Sequence, residues 1–277
     1  MIRVEHLSYR YDMNLESVLR DINMDIKGGE YVAIIGPNGS GKNTLLKHLN
    51  GLLTPTTGDV WVDRLNTKDT KSVQEIRQKV GMVFQNPDNQ IVGMSVEEDV
   101  AFGPENLCLP SLEIRERVES SLEKVGIRKY AKRAPHTLSS GEKQLVAIAG
   151  VLAMKPEYIA LDEPTTYLDP LGRKRVLDVI KGLNKQGITI IHVTQDMDEI
   201  VPSNRVVVMN KGTIILDENP AGVFTKPDLM KELGLAAPKI TELIRQLIQM
   251  GTDIRPDILT LEEACVELSS LIRAKSS

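Results

Sequence analysis

Gly36-Pro37-Asn38-Gly39-Ser40-Gly41-Lys42-Asn43-Thr44 follows the apolar run Tyr31-Val32-Ala33-Ile34-Ile35 and leads into Leu45-Leu46-Lys47-His48-Leu49. The order is strand, glycine-rich loop, helix. Glycines let consecutive backbone N–H groups turn inward around a phosphate chain, the helix start adds the positive end of its dipole, and Lys42 reaches the outer phosphates as a point charge. The spacing is that of a phosphate-binding loop and predicts an α/β fold. One position departs: a magnesium-binding hydroxyl is expected at 43, where Asn43 stands, while Thr44 keeps a hydroxyl one place on. The plainer alternative is a glycine-rich turn that happens to contain a lysine, and the rest of the chain counts against it.

Working outward, 277 residues at 41% hydrophobic and 26% charged suit one large domain, or one domain with an appendage. Aromatic residues make up only 4%, so the core is expected to be Ile, Leu, Val and Met, as in a parallel sheet covered by helices. A net charge of -4 and a pI near 5.7 carry no basic bias, so no nucleic acid partner is expected. Cys108 and Cys265 match no metal or redox spacing and read as two reduced, partly buried thiols, which fits a reducing cytoplasm. The N-terminus has no apolar signal core, and no run approaches about 18 apolar residues. Work at a membrane would need recruitment by partners.

Residues 2–9 and 18–26 read as antiparallel strands joined through the polar stretch 12–17, the second alternating at Leu19, Ile22, Met24 and Ile26. Tyr11 is either a solvated loop tyrosine or, beside a nucleotide loop, a platform for adenine. After the loop's helix, 54–58 reads as a turn, 60–62 as a short strand and 80–84 as a buried strand ending at Gln85. Pro87, Pro104, Pro110 and a charged helical stretch at 112–125 mark a helical insertion over about 86–155. It includes a helix at 143–154, opened by Leu138-Ser139-Ser140-Gly141-Glu142. Strand 158–161 runs into Asp162-Glu163, strand 188–193 into Thr194-Gln195-Asp196, and helix 171–185 between them makes a right-handed βαβ unit. Asn210-Lys211-Gly212 closes a hairpin. Beyond Pro220 the sheet pattern stops. Ile240, Leu243, Ile244, Leu247 and Ile248 form a helical stripe, and Thr260 with Glu263 makes a capping box before Leu261, Cys265, Leu268 and Ile272. The expected division is a nucleotide-binding domain over 1–235 and a helical extension over 236–277, which either packs on its own domain or makes a subunit contact.

Asp162 at the end of a buried strand is where a phosphate-loop protein places its second magnesium contact, and Glu163 beside it can polarise an attacking water. Gln85, also at a strand end, can bond both the metal shell and the water. A helix cap or a surface pair is the alternative for two adjacent carboxylates. In this order the motifs resemble the ATPase subunit of ABC transporters over about 230 residues. Tyr11 resembles its adenine-stacking loop, Gly36 to Thr44 the Walker A loop and Gln85 the Q-loop. Leu138 to Glu142 resemble the signature, Asp162 and Glu163 the Walker B aspartate and catalytic glutamate, and Leu168-Asp169 the D-loop. Phe84-Gln85-Asn86-Pro87-Asp88-Asn89-Gln90, residues 98–103 and residues 194–199 are similar to the ATPases of energy-coupling factor importers, including the cobalt and nickel branch.

The resemblance implies a P-loop ATPase with a parallel core sheet, an antiparallel β subdomain, a helical insertion and a C-terminal extension. It implies ATP and Mg2+, a second ATPase subunit, a transmembrane coupling subunit, a membrane substrate-binding subunit, and a peripheral place on the cytoplasmic face of the membrane. Ligands to magnesium would be Asp162, Gln85 and Asn43. Ser139, Ser140, Gly141 and Glu142 would be offered to the partner's ATP. Three positions depart from the family pattern: Asn43 for the hydroxyl, Ser140 for the first signature glycine and Gln195 for the switch histidine. Losing a bond to a charged phosphate costs about 1.5 to 3 kcal/mol, roughly ten- to a hundredfold in rate if it acts only in the transition state. Hydrolysis is thus expected to be impaired rather than excluded. Asn43 and Gln195 belong to one composite site and Ser140 to the other, which favours a heterodimer over a homodimer. The alternative is a nucleotide-binding regulatory subunit whose partner performs the hydrolysis.

Overall fold

Alternating apolar positions set the first pairing in the computed structural model, which describes residues 1–12 and 14–275. Ile2–Tyr9 (β1) and Leu19–Ile26 (β2) are antiparallel, with Leu19, Ile22, Met24 and Ile26 all turned into the core. Met13 of the joining stretch and residues 276–277 of the expected extension lie outside the described residues. Tyr31–Ile35 (β3) is buried at all five positions and gives way at the glycine-rich loop to Lys42–Leu49 (α1). Thr57–Val62 (β4) begins inside the expected turn and, with Leu65–Asn66 (β5), completes an antiparallel sheet in the order β2-β1-β4-β5.

Val73–Lys79 (α2), absent from the sequence expectation, leads into Val80–Val83 (β6). The helical insertion follows as Val96–Asn106 (α3), Ser111–Lys124 (α4) and Ser140–Ala153 (α5). The last begins three residues earlier than expected, because Ser139 caps it and Glu142 reaches back to the Ser139 backbone. Tyr158–Asp162 (β7), Pro170–Lys185 (α6) and Thr189–Val193 (β8) form the βαβ unit. Met197–Ile200 (α7), Arg205–Asn210 (β9) and Thr213–Glu218 (β10) come next. The chain then runs through Pro220–Phe224 (α8), Pro227–Glu232 (α9), Lys239–Gln249 (α10) and Leu261–Lys275 (α11).

The second sheet has the order β10-β9-β3-β8-β7-β6, parallel throughout except for the β9-β10 hairpin. Val32 and Ile34 of β3 face one cluster shared with α1 and the antiparallel sheet, while Ala33 and Ile35 face another with β9 and α8. Burial on both faces explains the unbroken apolar runs in these strands. The helical insertion packs through Val96, Val100, Leu122 and the apolar face of α5.

Two expectations need correction. Cys108 and Cys265 are both exposed rather than partly buried. Cys108 occupies the turn after α3 at a φ of 55°, and Cys265 lies beside, not on, the buried Ala264 position of α11. In the α10 stripe Ile244 is buried, but Leu243 and Ile248 are exposed. Ile244 of α10, Ala264 of α11 and Ile254 and Ile258 of the segment joining them form a small cluster of their own.

The β9-β10 turn has Lys211 and Gly212 at φ 45° and 80°, and a Cβ on Gly212 would meet the Val18 carbonyl oxygen at 2.3 Å. Gly212→Val therefore adds a backbone clash to the left-handed strain and is expected to cost at least about 2 kcal/mol. At Gly126, φ 73° with nothing within 4 Å of a Cβ, Gly126→Ala meets only the conformational term, about 1 kcal/mol. Urea unfolding of the two variants checks the order.

Candidate functional site

Because β3, β8, β7 and β6 are neighbours and parallel, the loops at their C-terminal ends share one edge of the sheet. That edge carries the glycine-rich loop after β3, Gln195 after β8, Asp162 and Glu163 at the end of β7, and Gln85 after β6. Ligands of open parallel sheets bind at such an edge. Four separate stretches of sequence are thereby brought to one place.

In the loop, Gly36, Gly39 and Gly41 have φ values of 150°, 77° and 99°. A Cβ at Gly36 would stand 2.1 Å from the Met209 carbonyl oxygen, so this turn excludes any side chain. Pro37 is half-buried and Asn38 exposed, whereas Ser40 is buried and its hydroxyl has no hydrogen-bond partner among the described residues. Lys42 is only 4% exposed, and its ammonium donates to the carbonyl oxygens of Gly36 and Pro37 at 2.8 and 3.0 Å. Burial pulls its pKa below the usual value, with Glu163 and Asp162 opposing. Asn43 is half-buried and Thr44 buried in the first turn of α1. The Tyr11 hydroxyl lies 3.1 Å from Thr44 Oγ1, and its ring meets Tyr9 edge-on, which in turn meets His48. His48 Nδ1–H donates to the Thr44 carbonyl oxygen at 2.7 Å, so the aromatic row is tied to the same turn. Tyr11 itself is 56% exposed and open for stacking.

Glu163 stands at a φ of 46°, a strained region for a non-glycine residue, while its backbone N–H donates to the Val193 carbonyl. Its carboxylate is gripped from both sides. Gln85 Nε2 donates to Oε2 at 3.0 Å, Gln195 Nε2 to Oε1 at 2.6 Å, and the Thr166 hydroxyl to Oε2 at 3.2 Å. Thr166 was not among the expected residues, although a hydroxyl three places after an acid is a recurring local bond. Asp162 is buried with Oδ1 unpartnered among the described residues, and burial together with Glu163 pushes its carboxyl up to about 6. An unpaired buried oxygen in a site short of positive charge fits a hard cation such as magnesium.

The expected signature residues serve the start of α5: Ser139 and Glu142 form its capping box, Gly141 is buried and Ser140 exposed. Asp169 caps α6, accepting from the Gly172 backbone at 3.2 Å. These residues are not drawn into the polar cluster around Glu163. His192 is fully buried within β8, with Nδ1 2.9 Å from the Tyr31 hydroxyl.

The ABC transporter family model matches residues 19–166. The chain is 53% identical over 270 residues to a cobalt import ATP-binding protein of Syntrophus aciditrophicus, covering 98% of this chain and 96% of that protein. It is equally 53% identical over 267 residues to an energy-coupling factor transporter ATP-binding protein of Caldanaerobacter subterraneus, covering 95% and 96%. Among solved structures, CbiO1 of Clostridium perfringens, part of the ABC transporter complex CbiONQ, superposes with a TM-score of 0.77 at 41% identity, covering 88% of this chain and 98% of that one. A dimeric ATP-binding cassette in a post-hydrolysis state with ADP and phosphate gives 0.71 at 32% identity, covering 79% and 99%.

The raised carboxyl of Asp162 carries a stability consequence. Its folded pKa lies above the ordinary 3.8, so between these values the folded state holds more protons and stability falls as pH rises, the full loss being present above about 6. Asp162→Asn is expected to stabilise the metal-free chain at pH 8 by on the order of 2 to 3 kcal/mol, at 1.36 kcal/mol per pKa unit. The gain should disappear near pH 4, as read by urea unfolding in a chelator.

Proposed function

This chain belongs to the ABC transporter family, as an ATP-binding subunit of the energy-coupling factor type, and on that premise we propose that it powers uptake of a vitamin or a transition-metal ion. The observation that carries the reading is the Glu163 carboxylate, held between two neutral amides beside the phosphate loop. In this reading ATP stacks on Tyr11, the backbone of Gly36 to Thr44 and Lys42 hold its phosphates, and Glu163 orients the attacking water. Asp162 carries magnesium, with Gln85 and Asn43 as further oxygen donors. Among the described residues no cluster of three or more His, Cys, Asp or Glu is arranged as a metal cage. A magnesium ion would therefore draw most of its ligands from phosphate and water, as is usual for this ion.

The proposed assembly is a pair of ATPase subunits on the cytoplasmic face of the membrane, with Ser139 to Glu142 and Asp169 presented to the partner. A membrane substrate-binding subunit and a transmembrane coupling subunit complete it, and no nucleic acid is involved. Among the described residues no helix is long and apolar enough to cross a membrane. Support for docking comes from a groove of about 380 Å³ between α2 and the helical insertion, lined by Gln78, Gln90, Val92, Phe102 and Met154, where Val92 and Phe102 are 65% and 52% exposed.

One observation favours a second reading, a subunit that binds ATP while its partner hydrolyses it. Gln195 already spends a donor on Glu163 and offers a phosphate only a neutral hydrogen bond, where the family's switch histidine offers an imidazole.

Steady-state ATP hydrolysis with magnesium, measured beside ATP affinity, separates the two. If this chain is the motor, Glu163→Gln lowers turnover at least about a hundredfold while ATP binding persists. Asn43→Ser with Gln195→His should then raise turnover roughly tenfold. Tight ATP binding without turnover in the parent chain would establish the second reading.

A further inference from the structure

Behind the site lies a buried charge cluster that neither the phosphate loop nor Glu163 uses. Glu199 of α7 has a side chain only 1% exposed. Its Oε1 accepts from the Thr165 hydroxyl at 2.5 Å and from Arg173 Nε at 2.9 Å. Its Oε2 accepts from the Thr194 hydroxyl at 2.7 Å and lies 3.4 Å from His192 Nε2. Arg173 also pairs with Asp196, and Thr194 Oγ1 accepts from the Asp196 backbone N–H at 3.1 Å. Burial works against the charged Glu199, yet His192, Thr165 and Thr194 hold its carboxyl well below the usual range, so it is a fixed anion.

The partners of this one carboxylate come from two different loops. Thr165 is two residues beyond Glu163, and Thr194 is the neighbour of Gln195. Outside them is an open cleft of about 480 Å³, bounded by Thr166, Gln195, Asp198, Ala237 and Lys239. Backbone hydrogen bonds fix the start of each loop to the neighbouring strand, Glu163 N–H to Val193 O of β8 and Thr194 N–H to Ile34 O of β3, but they do not reach Thr165 or the residues beyond Thr194. The side-chain ties between the two loops on this outer side run through Glu199, with Arg173 bracing it from α6.

We propose that Glu199 and Arg173 are positioning residues that lock the loop after Glu163 to the loop bearing Gln195, so that the Gln195-Glu163 hydrogen bond is kept at reacting geometry. The proposal rests on the reading of Glu163 and Gln195 as parts of an ATPase site. It differs from a purely structural role in what it predicts: both loops should loosen together, and the chemical step should suffer while nucleotide binding does not.

The test compares the full chain with Glu199→Gln and Arg173→Gln by hydrogen exchange and by ATP turnover normalised to titrated ATP sites. Amides at 163–169 and at 193–199 are expected to exchange about tenfold faster together in either variant, with α1 unchanged. Turnover per site should fall at least about tenfold with the KM for ATP within about twofold, and Arg173→Lys should recover part of what Arg173→Gln loses. If Glu199→Gln does not fold, Arg173→Gln, which keeps the buried acid and its threonine donors, decides alone. Loosening of one loop only, no loosening, or unchanged turnover per site overturns the proposal. A parent chain without turnover would overturn the ATPase reading, while the exchange data still decide whether the two loops are locked through Glu199.

Discussion

Two consecutive carboxylates, Asp162 and Glu163, stand 6% and 7% exposed at the end of a strand buried at every position, and the surrounding structure is arranged around their charge. Buried anions require partners, or they neutralise. The two are answered differently. Glu163 receives three neutral donors, from Gln85, Gln195 and Thr166, which answer its carboxylate by hydrogen bonds. Asp162 has an oxygen unpartnered among the described residues and a carboxyl displaced towards protonation, a deficit that a dication would relieve. Lys42 cannot serve both: its ammonium is tethered to the Gly36 and Pro37 carbonyls and acts on the carboxylates through space.

That distribution gives the departures at 43 and 195 a common character. Asn43 and Gln195 each place a neutral amide where the family pattern has a hydroxyl or an imidazole. An amide has both a donor and an acceptor and does not titrate, so the grip on Glu163 from Gln195 is independent of pH over the range in which an imidazole would change charge. Under the proposed function the cost would lie on the phosphate side, where a neutral donor meets a charged oxygen less strongly than an imidazolium does.

Most of the site was legible because its parts are local. A glycine spacing, an acid pair closing an apolar run and a glutamine at a strand end are each visible in a few residues, and the parallel order of β3, β8, β7 and β6 then brings them together. What stayed hidden depends on contacts far apart in sequence or on one residue's angle about a helix. Glu199 reads as one more acid in a polar stretch, and only the fold sets Thr165, Arg173 and Thr194 around it. The exposure of Cys265 beside the buried Ala264 is a matter of helix phase, which an irregular apolar pattern does not fix. The early start of α5 was readable in principle, because Ser139 and Glu142 have the spacing of a capping box, the same signal that located α11.

Ser140 and Gly141, side by side at the start of α5, stand under different packing demands. A Cβ on Gly141 would stand 2.9 Å from Gly172 Cα, where the starts of α5 and α6 meet backbone to backbone. A side chain at 141 would separate α5 from α6, the helix that begins at the Asp169 cap and carries Arg173. Ser140, by contrast, is exposed at the start of α5. Packing within this chain therefore demands glycine at 141 but makes no such demand at 140. Any need for a small residue at 140 must come from outside the chain, from a nucleotide or partner approaching that helix start.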